Sequence, residues 1–220
     1  MAEEEPYYEI YRWGMKKITW VESQEMLVQY LHTLLAKKAN HEVIHATVWD
    51  QSGIKKLFHH TSNSQSSSLF QLGGHLNYFP EIVETSSETV TTIRLDEILN
   101  KNVNYDFINL DLQGSELQAI KSLGNMIINT KYIYTEVNRS EVYIDCSKIW
   151  EIDEYLDHHG FQRIATRWAY EQDWGDAVYA KKKNIIQILS FKLINIYILL
   201  ITKIRYLLHK FKLAILKNEA

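Results

Sequence analysis

Residues 105–124 read YDFINLDLQGSELQAIKSLG. Phe107, Ile108 and Leu110 form a short apolar run that closes on Asp111, the pattern of a buried strand ending in a carboxylate. Gly114 permits a turn in which the backbone can approach a neighbour closely. Ser115 then opens a helix with Glu116 in its first turn, where the helix dipole favours negative charge. Leu117, Ile120 and Leu123 share one helical face, and Gly124 is a stop signal. Asp111 and Glu116 are thereby set around a glycine turn at the carboxyl end of a strand. Open α/β sheets bind their ligands at that end. The same residues also suit an ordinary strand–helix corner in which Asp111 only caps.

The flanking chain repeats the strand–helix alternation. Residues 3–17 read as a short helix and turn, and residues 18–21 as a β-branched strand with Glu22 at its tip. A helix follows over 24–38, with Ser23 as N-cap and an apolar stripe of Met26, Leu27, Tyr30, Leu31, Leu34 and Leu35. An acid at the tip of such a strand reaches ribose hydroxyls in nucleotide-binding α/β folds, and is otherwise a solvated loop acid. Residues 42–50 read as a third strand, with 54–60 returning as a hairpin. The polar run TSNSQSSS at 61–68 is either a surface loop or a ligand-binding one. Residues 73–88 read as loop, 90–95 as a strand and 96–99 as a short helix. A strand over 132–137 ends beside Glu136 and Asn138. A helix over 145–159 and strands over 161–168 and 174–181 complete the pattern, which is that of an α/β fold.

Composition narrows the function classes. The net charge of −3 gives no global argument for nucleic-acid binding. The single cysteine, Cys146, excludes an internal disulfide framework and fits a reducing, cytoplasmic setting. No C-x-x-C or H-E-x-x-H motif suggests a metal site, and His59, His60 and His75 lack ligand spacing. His75 is a candidate general base, because imidazole titrates near neutrality. The acidic start lacks the apolar stretch of a signal peptide. From residue 184 to 216 the chain is rich in Ile and Leu and punctuated by Lys192, Lys203, Arg205, Lys210 and Lys212. At helical spacing these cations oppose the apolar arc. The tail therefore reads as a basic amphipathic helix, suited to peripheral contact with an anionic membrane surface or to packing on protein. Its uninterrupted apolar run, 196–201, falls well short of the roughly 20 residues that span a bilayer. Two units follow, a domain over 1–181 and a C-terminal helix over 182–220. No motif specifies an oligomeric state.

The segment DLQGSEL at 111–117, after an apolar strand, resembles the D-x-x-G-x-E-L signature of the FkbM-type methyltransferases. Five further stretches match in the family's order: ITWVE at 18–22, SSSL at 66–69, TIRLDEI at 92–98, YIYTEVN at 132–138 and WGDAVY at 174–179. The resemblance implies a Rossmann-like class I sheet, S-adenosylmethionine as cofactor, and O-methylation of a sugar or another small hydroxylated metabolite. It implies Glu22, Asp111 and Ser68 as cofactor-binding residues and Asp111, Glu116 and Glu136 as catalytic candidates. The family's glycine-rich first strand and loop, which should precede residue 18, is not found in the sequence. The fold expectation is therefore a methyltransferase sheet truncated at its N-terminus with an appended C-terminal helix. In that fold the sheet runs third, second, first, fourth, fifth, seventh, sixth strand. Without the first, the strand ending at Glu22 and the strand ending at Asp111 either close up or leave a gap. The missing loop also supports a second reading, a non-catalytic binding or membrane-surface module.

Overall fold

The computed structural model describes residues 16–182; the readings made for 3–15 and for the basic tail lie outside them. Strand β1, Ile18–Glu22, pairs in parallel with β2, His41–His45, in the register Ile18 to His41 through Glu22 to His45. Helix α1, Glu25–Leu35, crosses between them. It buries Val28, Leu31 and Leu35, the last two packing with Trp20 into one small core. The expected stripe was drawn too wide: Met26, Tyr30 and Leu34 are exposed. They lie at i, i+4 and i+8 beside the true core face at i, i+3 and i+7. Ser23 does not cap this helix. The N-cap is Gln24, and Ser23 turns its N–H to the side chain of Glu22 instead.

The expected strand over 42–50 is two. After β2 the chain passes directly into β3, Thr47–Val48, which pairs in parallel with β5, Glu84–Ile93. The hairpin of 54–60 also differs. Strand β4, Lys55–Thr61, pairs antiparallel with β5 and not with the strand before it. The sheet order is β3-β5-β4.

The third sheet holds the main core. Strand β6, Phe107–Leu110, lies parallel to β7, Tyr132–Asn138, while β9, Trp174–Lys181, runs antiparallel between β7 and β8, Phe161–Trp168. The order β6-β7-β9-β8 reproduces the expected sequence of fourth, fifth, seventh and sixth strands. Strands β1 and β6 belong to different sheets, so they do not close up on each other. Short helix α2, Leu95–Ile98, helix α3, Glu116–Ser122, and helix α4, Ile149–His158, cover this sheet. Leu117, Ile120 and Leu123 meet Ile133, Val137, Ile152, Leu156 and Phe161 there, and Val21 and Ile44 from the first sheet pack against the same cluster.

The TIRLDEI stretch is a structural staple. The Arg94 guanidinium donates to both carboxylate oxygens of Asp96 at 3.0 and 2.8 Å, to the Asp50 carbonyl at 2.6 Å and to the Lys121 carbonyl at 3.2 Å. It thereby ties β3, α2 and the C-terminus of α3 together, using a fork geometry that lysine lacks. Gly124 ends α3 at φ +50° under this staple, where a Cβ would lie 2.2 Å from Asp96 Oδ2.

Candidate functional site

A cavity of about 540 Å³ opens where the carboxyl ends of β1, β3 and β6 meet the end of β7. Glu22, Asp111 and Glu136, which sequence reading placed at three strand tips, all line it. A depression of about 610 Å³ between α4 and β8 is shallower and open. Its main charged groups, Arg163 and Asp153, are already bonded to each other at 2.9 and 3.0 Å. The strand-tip acids converge on the first cavity instead, which is therefore the candidate site.

Glu22 is held by its own turn. Its Oε1 accepts the backbone N–H groups of Ser23 at 2.8 Å and Gln24 at 2.9 Å. Those bonds fix the carboxylate at the cavity wall, and Oε2 has no hydrogen-bond partner among the described residues. A carboxylate so fixed, with one oxygen to offer, suits a pair of hydroxyls.

The turn after β6 is wound tightly. Gln113 has φ +53° and Gly114 φ +104°, both in the left-handed region that side chains disfavour. The turn is locked from inside by Glu116, whose carboxylate accepts the N–H of Leu112 at 2.8 Å and of Gly114 at 3.1 Å. Glu116 is 1% exposed and does not line the cavity. The expectation that it acts on the acceptor is therefore corrected: it builds the turn that presents Asp111. Ser68 receives a similar correction. Ser66 and Ser67 line the cavity, whereas Ser68 is buried behind it and donates its hydroxyl to the Gln113 carbonyl at 2.7 Å.

Four groups that sequence reading did not place at the site complete it. The Gln113 amide donates to Asp111 Oδ1 and accepts the phenol O–H of Tyr143, so its orientation is set by both neighbours. Burial pushes the Tyr143 phenol up, which keeps it a donor. Trp174 and Phe79 form an aromatic wall, with ring centroids 5.7 Å apart, and His75 stacks on Trp174 at 6.0 Å. His59 and His60, by contrast, sit on β4 facing Glu84 and Glu88. No metal-binding group of side chains occurs among the described residues.

The acids crowd one another. Burial, then the charges of Asp111, Glu116 and Asp176, raises the Glu136 carboxyl well above its ordinary value. Burial pushes Glu116 up to about 7, overcoming the opposing effect of its backbone hydrogen bonds. A carboxyl raised in the folded state favours folding when protonated. Its contribution is fully present below the unfolded value near 4.5 and is lost as pH rises through about 7. Relative to Glu116→Gln, the parent chain should therefore gain about 2–3 kcal/mol of stability between pH 8 and pH 5. Urea denaturation of both chains checks this. The comparison cancels the opposite contribution of His75, whose pKa burial lowers. A difference that does not change with pH would show that the Glu116 carboxyl is not raised.

Residues 3–163 match the model of the methyltransferase FkbM domain. A solved structure of a magnesium protoporphyrin IX methyltransferase from Synechocystis with bound S-adenosylmethionine shares 12% identity, at a TM-score of 0.38. The alignment covers 75% of this chain and 59% of that one, a likeness too slight to carry the fold. No curated protein matches the chain.

Proposed function

We propose, for a chain that belongs to the FkbM methyltransferase family, the transfer of a methyl group from S-adenosylmethionine to a hydroxyl of a sugar or another small hydroxylated metabolite. The observation that carries this reading is the convergence of Glu22, Asp111 and Glu136 on one cavity at the strand tips. The pairing β1-β2 and the order β6-β7-β9-β8 support the Rossmann-like class I sheet as its frame.

The residues present fit the cofactor's ribose end. Glu22 would hold the ribose hydroxyls, its geometry already fixed by the N–H groups of Ser23 and Gln24. Bound there, S-adenosylmethionine would supply an electrophilic methyl group. Asp111 and Glu136 would orient the acceptor hydroxyl and take its proton onto a carboxylate oxygen. Gln113 and Tyr143 hold Asp111 in place for this. Burial and its acidic neighbours raise the Glu136 carboxyl, which strengthens it as an acceptor of that proton. Val48, Phe58 and Leu69 supply apolar wall that excludes water from the reacting groups.

A second reading is a family member that binds without transferring. It is favoured by one observation: no glycine lines the cavity among the described residues, so no glycine-rich cradle for the cofactor's amino-acid end is visible there. The basic tail, in this second reading, brings the domain to an anionic membrane surface. No helix among the described residues is long and apolar enough to cross a membrane.

Calorimetry with S-adenosylhomocysteine tests the proposal. Glu22→Ala should weaken binding by about 1–3 kcal/mol, the effect of removing the partner of buried hydroxyls, with little change in folding. Equal affinity in parent and variant would remove Glu22 from the cofactor site. Binding by neither would favour the second reading.

A further inference from the structure

The cavity wall discriminates by charge. Among the described lining residues, Glu22, Asp111 and Glu136 carry carboxyl groups, and no lysine or arginine is present. Arg139 and Lys148, which flank the lining residues Val142 and Tyr143 in the chain, are engaged elsewhere. Arg139 donates to Asp173 at 3.0 Å and lies over the Trp168 ring, and Lys148 donates to the Cys146 carbonyl at 2.6 Å. Glu136 already feels an excess of negative charge, since Asp111, Glu116 and Asp176 all oppose its ionisation. A ligand anion brought into this space would add to the repulsion and lose its hydration without a counter-charge.

Another part of the wall is aromatic and carries one unsatisfied polar group. Trp174 and Phe79 are half-buried and line the cavity. An aromatic face of that kind takes the apolar face of a ring. His75, 5% exposed, lines the same wall, and its Nδ1 has no hydrogen-bond partner among the described residues. The ring is set by a hydrogen-bond network. Asn63 Oδ1 accepts from Ser66 N and Thr61 Oγ1, both at 3.0 Å, so Asn63 Nδ2 faces Ser66 Oγ and donates to it at 3.1 Å. The Ser66 hydroxyl, which can accept a second hydrogen or give its own, pairs with His75 Nε2 at 3.2 Å and holds the ring in place. A buried ring nitrogen without a partner on a cavity wall marks a place that a ligand hydroxyl can complete.

We infer that the part of the cavity lined by Asp111, Glu136, Phe79 and Trp174 takes a ring-shaped hydroxylated compound that is uncharged or cationic, and rejects phosphorylated and carboxylated ones. Its ring lies on Trp174 and Phe79, its hydroxyls donate to Asp111 and Glu136, and a further hydroxyl faces His75. This inference rests on the methyl-transfer reading only in naming that compound as the acceptor.

Three probes of one frame test it: phenyl β-D-glucoside, its 2-amino analogue and the corresponding glucuronide, titrated into the full chain and followed by ligand-observed NMR. The glucuronide should bind at least about tenfold more weakly than the glucoside, and the amino sugar at least as tightly as the glucoside. In Asp111→Asn/Glu136→Gln the difference should shrink below about threefold, and Trp174→Ala should weaken all three probes. Should the double variant fail to fold, added salt should narrow the difference in the parent chain, through screening of the charges at the cavity mouth. A glucuronide that binds as well as the glucoside overturns the inference. So does a difference unaffected by both the double variant and salt, or S-adenosylhomocysteine binding with none of the three probes bound. Loss of S-adenosylhomocysteine binding with the charge order kept would instead overturn methyl transfer and leave the charge selection standing.

Discussion

Gly114→Ala should lower the unfolding free energy by about 2–5 kcal/mol, the sum of two independent effects. The first is backbone strain. Gly114 sits at φ +104°, and an L-residue held at positive φ costs about 1–2 kcal/mol. The second is overpacking. A Cβ at this position would lie 2.9 Å from Cys146 Cβ and 3.3 Å from both Phe70 Cδ2 and Tyr143 Cβ. Cys146 and Tyr143 are buried, so neither can yield freely, and crowding of that kind costs about 1–3 kcal/mol. Gly53→Ala separates the two effects. Gly53 also has positive φ, +78°, but a Cβ there meets nothing within 4 Å. Urea denaturation of both variants should show the Gly114 loss exceeding the Gly53 loss by about 1–3 kcal/mol. Equal losses would mean that the turn after β6 relaxes without disturbing Tyr143. The site would then tolerate more movement than the hydrogen bonds of Gln113 imply.

That turn was legible because its signals are local. An apolar run, a glycine and a helical stripe specify β6, the reversal and α3 within one short segment. Strands β8 and β9 were legible to the residue for the same reason, bounded by Gly160 at φ +75° and a polar turn. Strand β5 was not. Its first half, from Glu84 to Thr89, is exposed on the hairpin with β4, so no apolar alternation marks it. The division of β2 from β3 escaped notice because a strand's side chains do not report a change of partner. The step at Ala46 is visible only in the pairing, where its N–H closes on the Glu22 carbonyl and the next residues turn to β5.

The site divides along the same line. Glu22, Asp111 and Glu136 were legible because a strand tip fixes where its last side chain goes. Glu116 and Ser68 were misplaced because short polar groups beside a tight turn also serve its backbone, as these two do. Tyr143, Trp174 and Gln113 reach the cavity from three separated stretches, and no spacing in the chain announces that they meet. His75 was singled out for its chemistry alone. Its stacking on Trp174 and its bond to Ser66 depend on long-range folding.

Asp111→Asn and Glu136→Gln should each lower turnover by about 10²–10⁴-fold, the usual contribution of a positioned general base. Affinity for S-adenosylhomocysteine should stay within about threefold of the parent, because neither group is assigned to the ribose. Both acids line the cavity, and their settings differ in a way that predicts different pH profiles. Asp111 is fixed by the amide of Gln113, which itself takes the Tyr143 hydrogen bond. Glu136 is raised by burial and by its acidic neighbours, so turnover through it should rise with pH as its proton is lost. Glu136→Gln should flatten that rise, and Asp111→Asn should lower its height and move it to lower pH, since the Asp111 charge helps to raise Glu136. Glu116→Gln is the control: its carboxylate holds the turn from behind the wall, so its effect should fall on stability first. Initial rates across pH, with calorimetry on the same preparations, check all three variants. Retention by both Asp111→Asn and Glu136→Gln of more than about a third of parent turnover would sink the assignment.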